Sequence, residues 1–172
     1  MILEYCFTHP NVIPPTRANP SDAGLDIFFS PLEIDTEVTL HPGHSTTLKT
    51  GLKFGVPHGY MLQVMNRSSV AAVKQLLVGA CVIDSGYDGE VFINLHNVGN
   101  ESRVIKGGDK IAQIVMVPVI PFRAYCRHDD NLYDYPITMS NRGEGALGST
   151  DEPSSLKHVF DPDNTKYNKL ED

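Results

Sequence analysis

The chain has 172 residues, 41% hydrophobic and 20% charged, enough for one domain with a buried core and too little for a comfortable second. Its 14 basic and 21 acidic residues leave a formal net charge of −7, which excludes a general nucleic-acid surface, because phosphate backbones demand an excess of lysine and arginine. Three cysteines without motif spacing suit a reducing compartment rather than a disulfide framework, and no apolar run reaches membrane-spanning length.

In chain order, the opening "MILEYCFTHP" carries an acid where a secretory leader has its basic region, so an intracellular protein is expected. Turn signals then recur at short intervals: "PSDAG", "HPGH", "PHG", "DSGYDG", "NVGNES" and "KGGD". Between them lie strand-like segments, "TEVTLH" (36–41), "TLKTGLKFGV" (47–56), "YMLQVMN" (60–66), "EVFINLHN" (90–97) and "KIAQIVMVPVI" (110–120). In the fourth, Val91, Ile93 and Leu95 alternate with Phe92, Asn94 and His96, the period-two mark of a strand with one buried face. One helix is expected, from Ser68 to Val78, opened by serines able to cap it. The architecture predicted is all-β, a sandwich, jelly roll or barrel over residues 1–140. Residues 122–141 read as a connecting arm, and 151–172 as a mobile tail.

Several segments carry residues able to do chemistry. "SDAGLD" offers Asp22 and Asp26 around a glycine, for an arginine partner, a hydrated Mg²⁺ or simply a turn. "NRSSVA" brings Arg67, Ser68 and Ser69 together, good anion-binding chemistry or an N-cap beside an exposed arginine. "ACVIDSGYDGEV" sets Asp84 where an apolar strand leaves for a tight turn, a place where desolvation makes a carboxylate a useful base, or else a plain hairpin. "GDKIAQI" holds Gln113 in an apolar run, where its amide needs backbone or ligand partners. Cys126 and His128 make half of a metal pair without a second half. "NRGEGALGST" (141–150) satisfies a G-x-G-x-x-G pattern and a P-loop frame lacking its lysine, yet neither the strand nor the helix such loops require flanks it. It reads as a glycine-rich strip able to wrap a polyphosphate, or as a linker before the tail.

Taken together, "AGLDI" (23–27), "RSSVA" (67–71), "VIDSGYDGEV" (82–91), "GDKIAQI" (108–114) and "RGEGALGST" (142–150) resemble, in order, the five motifs of the trimeric dUTP diphosphatase (dUTPase) family. The resemblance implies a dUTPase-like jelly-roll barrel with one short helix. It implies hydrolysis of dUTP to dUMP and diphosphate, limiting uracil incorporation into DNA, with dUTP carrying Mg²⁺ on its phosphates. Asp84 falls where the family has its general base, and Tyr87 where a ring lies against the deoxyribose. The backbone of Ala80, Val82 and Ile83 would meet the uracil edge. Arg67, Ser68, Ser69 and Gln113 would bind phosphates, with Asp26 steadying Arg67 and touching the metal through water. No direct protein ligand to Mg²⁺ is implied. Residues 141–150 would be the family's mobile C-terminal arm, with Arg142, Gly148, Ser149 and Thr150 closing on the nucleotide and Leu147 at the place of the usual uracil-stacking Phe. Gly86 and Asp88 replace the usual acid and base beside Tyr87, while Cys81 and Ala146 replace usual glycines.

A homotrimer with shared active sites is implied, in the cytoplasm, or in a host's cytoplasm if the drift of the motifs reflects a viral source. Two other readings share the pocket: a dCTP deaminase-like enzyme using Glu90, and a nucleotide-sensing regulator that binds a protein partner through the tail after Asp151. Neither nucleic acid nor membrane is expected as a partner.

Overall fold

The alternation of residues 90–97 is realised in the computed structural model. Val91, Ile93 and Leu95 are at most 3% exposed, whereas Phe92 is 44% exposed. The structure describes residues 1–127. Its strands, in chain order, are β1 (Glu4–Phe7), β2 (Leu25–Phe28), β3 (Glu37–Leu40), β4 (Ser45–Lys49), β5 (Leu52–Gly55) and β6 (Tyr60–Met65). They continue with β7 (Leu76–Val78), β8 (Val82–Ile83), β9 (Phe92–Asn97), β10 (Arg103–Lys106) and β11 (Lys110–Pro118). All pair antiparallel in four small sheets, of which the largest has the order β2-β11-β6-β8 and the next β4-β9-β7. The fold is all-β, as read.

One apolar cluster joins the sheets, with Ile27, Leu52, Ile93, Leu95 and Ala112 fully buried at its centre. Each large aliphatic side chain there stabilises the fold by roughly 1.5–3 kcal/mol relative to exposure. Its polar members are satisfied. Buried Asn97 donates to the carbonyls of Leu40 and Glu101 and accepts the Gly99 N–H, and the Thr50 hydroxyl donates to the Val91 carbonyl.

Two segments depart from expectation. Residues 47–56, read as one strand, break at Thr50–Gly51 into β4 and β5. Gly51 has φ +68°, and a Cβ there would lie 2.2 Å from Val12 Cγ2, so the chain turns where only glycine fits. The helix expected from Ser68 to Val78 is reduced to a single π-helical turn, Ser69–Val73. Gln75, at φ 57°, reverses the chain, and Leu76–Val78 becomes β7 beside β9. Burial of Leu76, 1% exposed, overrides the local helical pattern. The expected capping role of Ser68 goes with it, since its side chain caps nothing. Among the described residues, no helix is long and apolar enough to cross a membrane.

Candidate active site

The register of the central sheet builds the first half of the site. Pairing of β11 with β2 sets Gln113 opposite Asp26, and pairing with β6 sets the same Gln113 opposite Met65, one residue before the chain leaves the sheet toward Arg67. Asp26, its side chain only 12% exposed, takes Arg67 Nε on Oδ1 at 2.7 Å and Lys110 Nζ on Oδ2 at 2.8 Å. Gln113 Nε2 donates to the Asn66 carbonyl at 2.9 Å, the backbone partner its place in an apolar run called for. Asn66 in turn accepts the Val78 N–H on its side-chain oxygen, at 2.8 Å, which fixes the start of the Arg67 segment against β7.

Asp26, Arg67, Ser68 and Gln113 share a cleft of about 180 Å³, with Ala18, Asp22 and Gly24 on its wall. Gly24 must lack a side chain, because a Cβ there would stand 2.6 Å from Gln113 Oε1. Asp22 faces the same cleft but caps its own turn: its carboxylate accepts the Asn19 N–H at 2.9 Å, and Arg17 binds its carbonyl rather than its carboxylate. Ser68 and Ser69 are exposed, with hydroxyls free of any capping duty at the start of the π turn.

Burial alone would raise the Asp26 pKa, but the hydrogen bonds from Lys110 and Arg67 and their charges outweigh it and hold the carboxyl below its usual 3.8. A depressed pKa contributes stability above the unfolded value that disappears as pH falls through the folded one. The stability difference between wild type and Asp26→Asn is therefore expected to stay flat from neutral pH down to about 5 and to shrink below 3.8, as read by urea unfolding at each pH. A difference that grew on acidification would contradict an ionised, doubly paired Asp26.

The second half is a turn between β8 and β9, which pair with different strands and not with each other, so the plain hairpin expected there is not formed. Val82 and Ile83 pair with Gln63 and Leu62 at the end of the central sheet. β8 is thus an edge strand whose other side has no strand partner among the described residues. Asp84 follows buried Ile83 and is itself exposed, so the chain's own packing does not supply the desolvation expected from the sequence. A turn closes from the Tyr87 N–H to the Asp84 carbonyl at 3.3 Å, with Gly86 at φ +90°, and Ser85 Oγ anchors it to the Val56 carbonyl at 3.1 Å.

Tyr87 lies over Gly89, where a Cβ would meet its hydroxyl at 2.3 Å, and its OH donates to the Glu90 carbonyl at 2.9 Å. Glu90 Oε1 accepts the Gly51 N–H at 2.9 Å. This carboxylate oxygen is spent on tying the segment after Tyr87 to the β4–β5 turn, which counts against the deaminase reading. Val82, Ile83, Asp84, Tyr87, Glu90, Val91 and Phe92 line this second cleft, of about 220 Å³. Cys81, in place of the usual glycine, is partly buried against the core and is not among the residues of the cleft wall. Asp88, in place of the usual basic residue, meets Lys53 at 2.7 Å. Ala80 is exposed beside Gly79.

Within one chain the two clefts share no lining residue. The groove of about 660 Å³ along β1 and β5 contains none of the expected site residues. Arg142, Leu147, Gly148, Ser149 and Thr150, with His128 and the tail, lie outside the described residues. Lys110 and Asn66 carried no expected role. Lys110 stands inside the quoted "GDKIAQI", but its pairing depends on a strand register that composition does not reveal.

Known proteins carry the same pattern. The dUTPase family model matches residues 11–150. The chain is 38% identical over 142 residues to deoxyuridine 5'-triphosphate nucleotidohydrolase of Anaplasma marginale, covering 79% of this chain and 87% of the relative. To the protein of the same name from Gloeobacter violaceus it is 40% identical over 119 residues, covering 68% and 76%. Among solved structures, a mutant Staphylococcus bacteriophage 80alpha dUTPase with dUpNHpp superposes with TM-score 0.69 at 26% identity, covering 87% of this chain and 98% of that one. A mutant dUTPase of phage phi11 of S. aureus, solved to detail the coordination of a structural Mg(II) ion, gives TM-score 0.67 at 25% identity, covering 75% and 98%. With the motifs in order, the fold matched and most of its length aligned, the chain belongs to the dUTPase family.

Proposed function

We propose that Asp84 is the general base with which this dUTP-hydrolysing chain makes dUMP and diphosphate. A water oxygen attacks the α-phosphorus while Asp84 takes the proton, the bond from that phosphorus to the α–β bridging oxygen breaks, and diphosphate leaves. The observation that carries this reading is that one chain holds both an arginine-and-serine cleft and an exposed carboxylate on a turn. Arg67 and Ser68 wait at one, and exposed Asp84, beside Tyr87, at the other. Arg67, Ser68, Ser69 and Gln113 hold phosphate oxygens. The open edge of β8 supports recognition of uracil by the main chain of Ala80, Val82 and Ile83, with specificity set by backbone groups and shape.

The donor chemistry suits Mg²⁺ bound through phosphates and water. Both Asp26 oxygens are occupied by cations, and no cluster of three or more His, Cys, Asp or Glu able to hold a metal exists among the described residues. Asp26 would touch the ion's water shell, and the ion would supply neutralisation of triphosphate charge.

Each cleft holds only part of the expected machinery, which supports a complete site built from Asp84 of one copy and Arg67 of another, in a homotrimer with shared sites. Exposed Val82, Phe92 and Val104, between 44% and 54% exposed, offer apolar surface for such contacts. Substrate choice is tested by diphosphate release from dUTP, dCTP, dTTP and UTP with Mg²⁺. Turnover of dUTP alone is expected, and Tyr87→Ala should narrow the preference for dUTP over UTP by about tenfold or more by admitting the 2′-hydroxyl. An unchanged preference would remove Tyr87 from ribose exclusion.

A further inference from the structure

We propose that Lys110 is a positioning residue for Arg67, acting through Asp26, and that a β-bulge in β11 serves to put it there. The inference rests on Arg67 as a phosphate ligand. In the β11–β2 pairing Gln113 faces Asp26 and Ala112 faces Ile27, but the register slips by one residue before Lys110 meets Phe28. Without the slip, strict alternation would put Lys110 on the face of Ala112 and Ile114, which are 0% and 2% exposed, inside the core. The extra residue is Ile111. It is 2% exposed beside Ala112, so two consecutive side chains enter the core. Lys110 thereby emerges on the face of Asp26, with Nζ 2.8 Å from Oδ2 and 5.6 Å from the centre of the Phe28 ring.

Occupation of Oδ2 decides how Arg67 is held. A carboxylate with both oxygens free takes an arginine bidentately, closing two guanidinium nitrogens onto itself. Here Lys110 holds one oxygen, and Arg67 is bound to the other through Nε alone at 2.7 Å. The outer guanidinium nitrogens make no bond to another described residue and remain for a phosphate. The two cations on Asp26 also outweigh that carboxylate and offset the charge of Asp22 on the same cleft wall.

The test is steady-state dUTP hydrolysis with Mg²⁺ for Lys110→Met, Lys110→Arg, Asp26→Asn and the Asp26→Asn/Lys110→Met double variant, alongside their melting temperatures. Lys110→Met should raise KM for dUTP about tenfold, the size of a misdirected charged hydrogen bond, with a smaller change in kcat. Lys110→Arg should restore most of it, and the double variant should be no worse than Asp26→Asn alone, since Lys110 acts through that carboxylate. Additive losses would mean that Lys110 acts on its own, and a lower melting temperature with unchanged kinetics would make it merely structural. Either result overturns the proposal. If Lys110→Met does not fold, Lys110→Gln provides the same comparison. Arg67→Ala, measured in parallel, separates the two layers: a normal KM there would sink the phosphate-ligand reading itself.

Discussion

Asp84→Asn is expected to lower kcat for dUTP by about 10²–10⁴-fold, the usual contribution of a positioned general base, while dUTP binding persists. The variant isolates basicity. Asparagine keeps the shape of the side chain, and the turn is held by groups that the substitution leaves in place: the Asp84 carbonyl, Ser85 Oγ and the Tyr87 hydroxyl. Asp84 is exposed in the chain and has no side-chain partner among the described residues, so the fold should change by no more than about 0.5 kcal/mol. Diphosphate release gives the rate, and calorimetric titration with a non-hydrolysable dUTP analogue gives the affinity. A kcat within a few-fold of wild type would place the base elsewhere.

Arg67→Ala should lower kcat/KM by about 100-fold, corresponding to roughly 3 kcal/mol for a lost charge-assisted phosphate contact. The loss belongs mainly to substrate binding. Asp26 keeps Lys110 as a partner in this variant, so the cleft retains a paired carboxylate and the melting temperature should move little. Arg67→Lys should recover only part of the activity, because a single ammonium cannot bond Asp26 and reach a phosphate as a planar fork does. A large drop in melting temperature with unchanged kcat/KM would reduce Arg67 to a structural partner of Asp26.

The sequence made the all-β class readable because alternation and turn chemistry are local properties. Val91, Ile93 and Leu95 fell on the buried face, and Gly43 of "HPGH", Gly59 of "PHG" and Gly86 of "DSGYDG" fell in left-handed turns. What it hid was set by distant contacts. Ser68 to Val78 has helical composition, but Leu76 is drawn into the core and β9 offers Leu76–Val78 a strand partner, so only one π turn survives. The bulge at Ile111 is equally invisible in "GDKIAQI", since nothing local says that two neighbouring apolar residues will both be buried. The site residues themselves were legible only as motifs in order. Asp26, Arg67, Ser68 and Gln113 converge through strand register, and Asp84 with Tyr87 through a turn, and the fact that they line two clefts with no residue in common is not legible in the motifs.

That separation makes subunit mixing the most direct test of the account. Asp84→Asn and Arg67→Ala chains, carrying different tags, are co-expressed, and oligomers bearing both tags are purified and assayed for diphosphate release from dUTP. If a site takes its base from one copy and its phosphate-binding arginine from another, every mixed trimer contains one site with both residues intact, and activity rises far above that of either variant alone. Activity no greater than that of the separate variants would show that Asp84 and Arg67 must come from the same chain, contradicting the shared site.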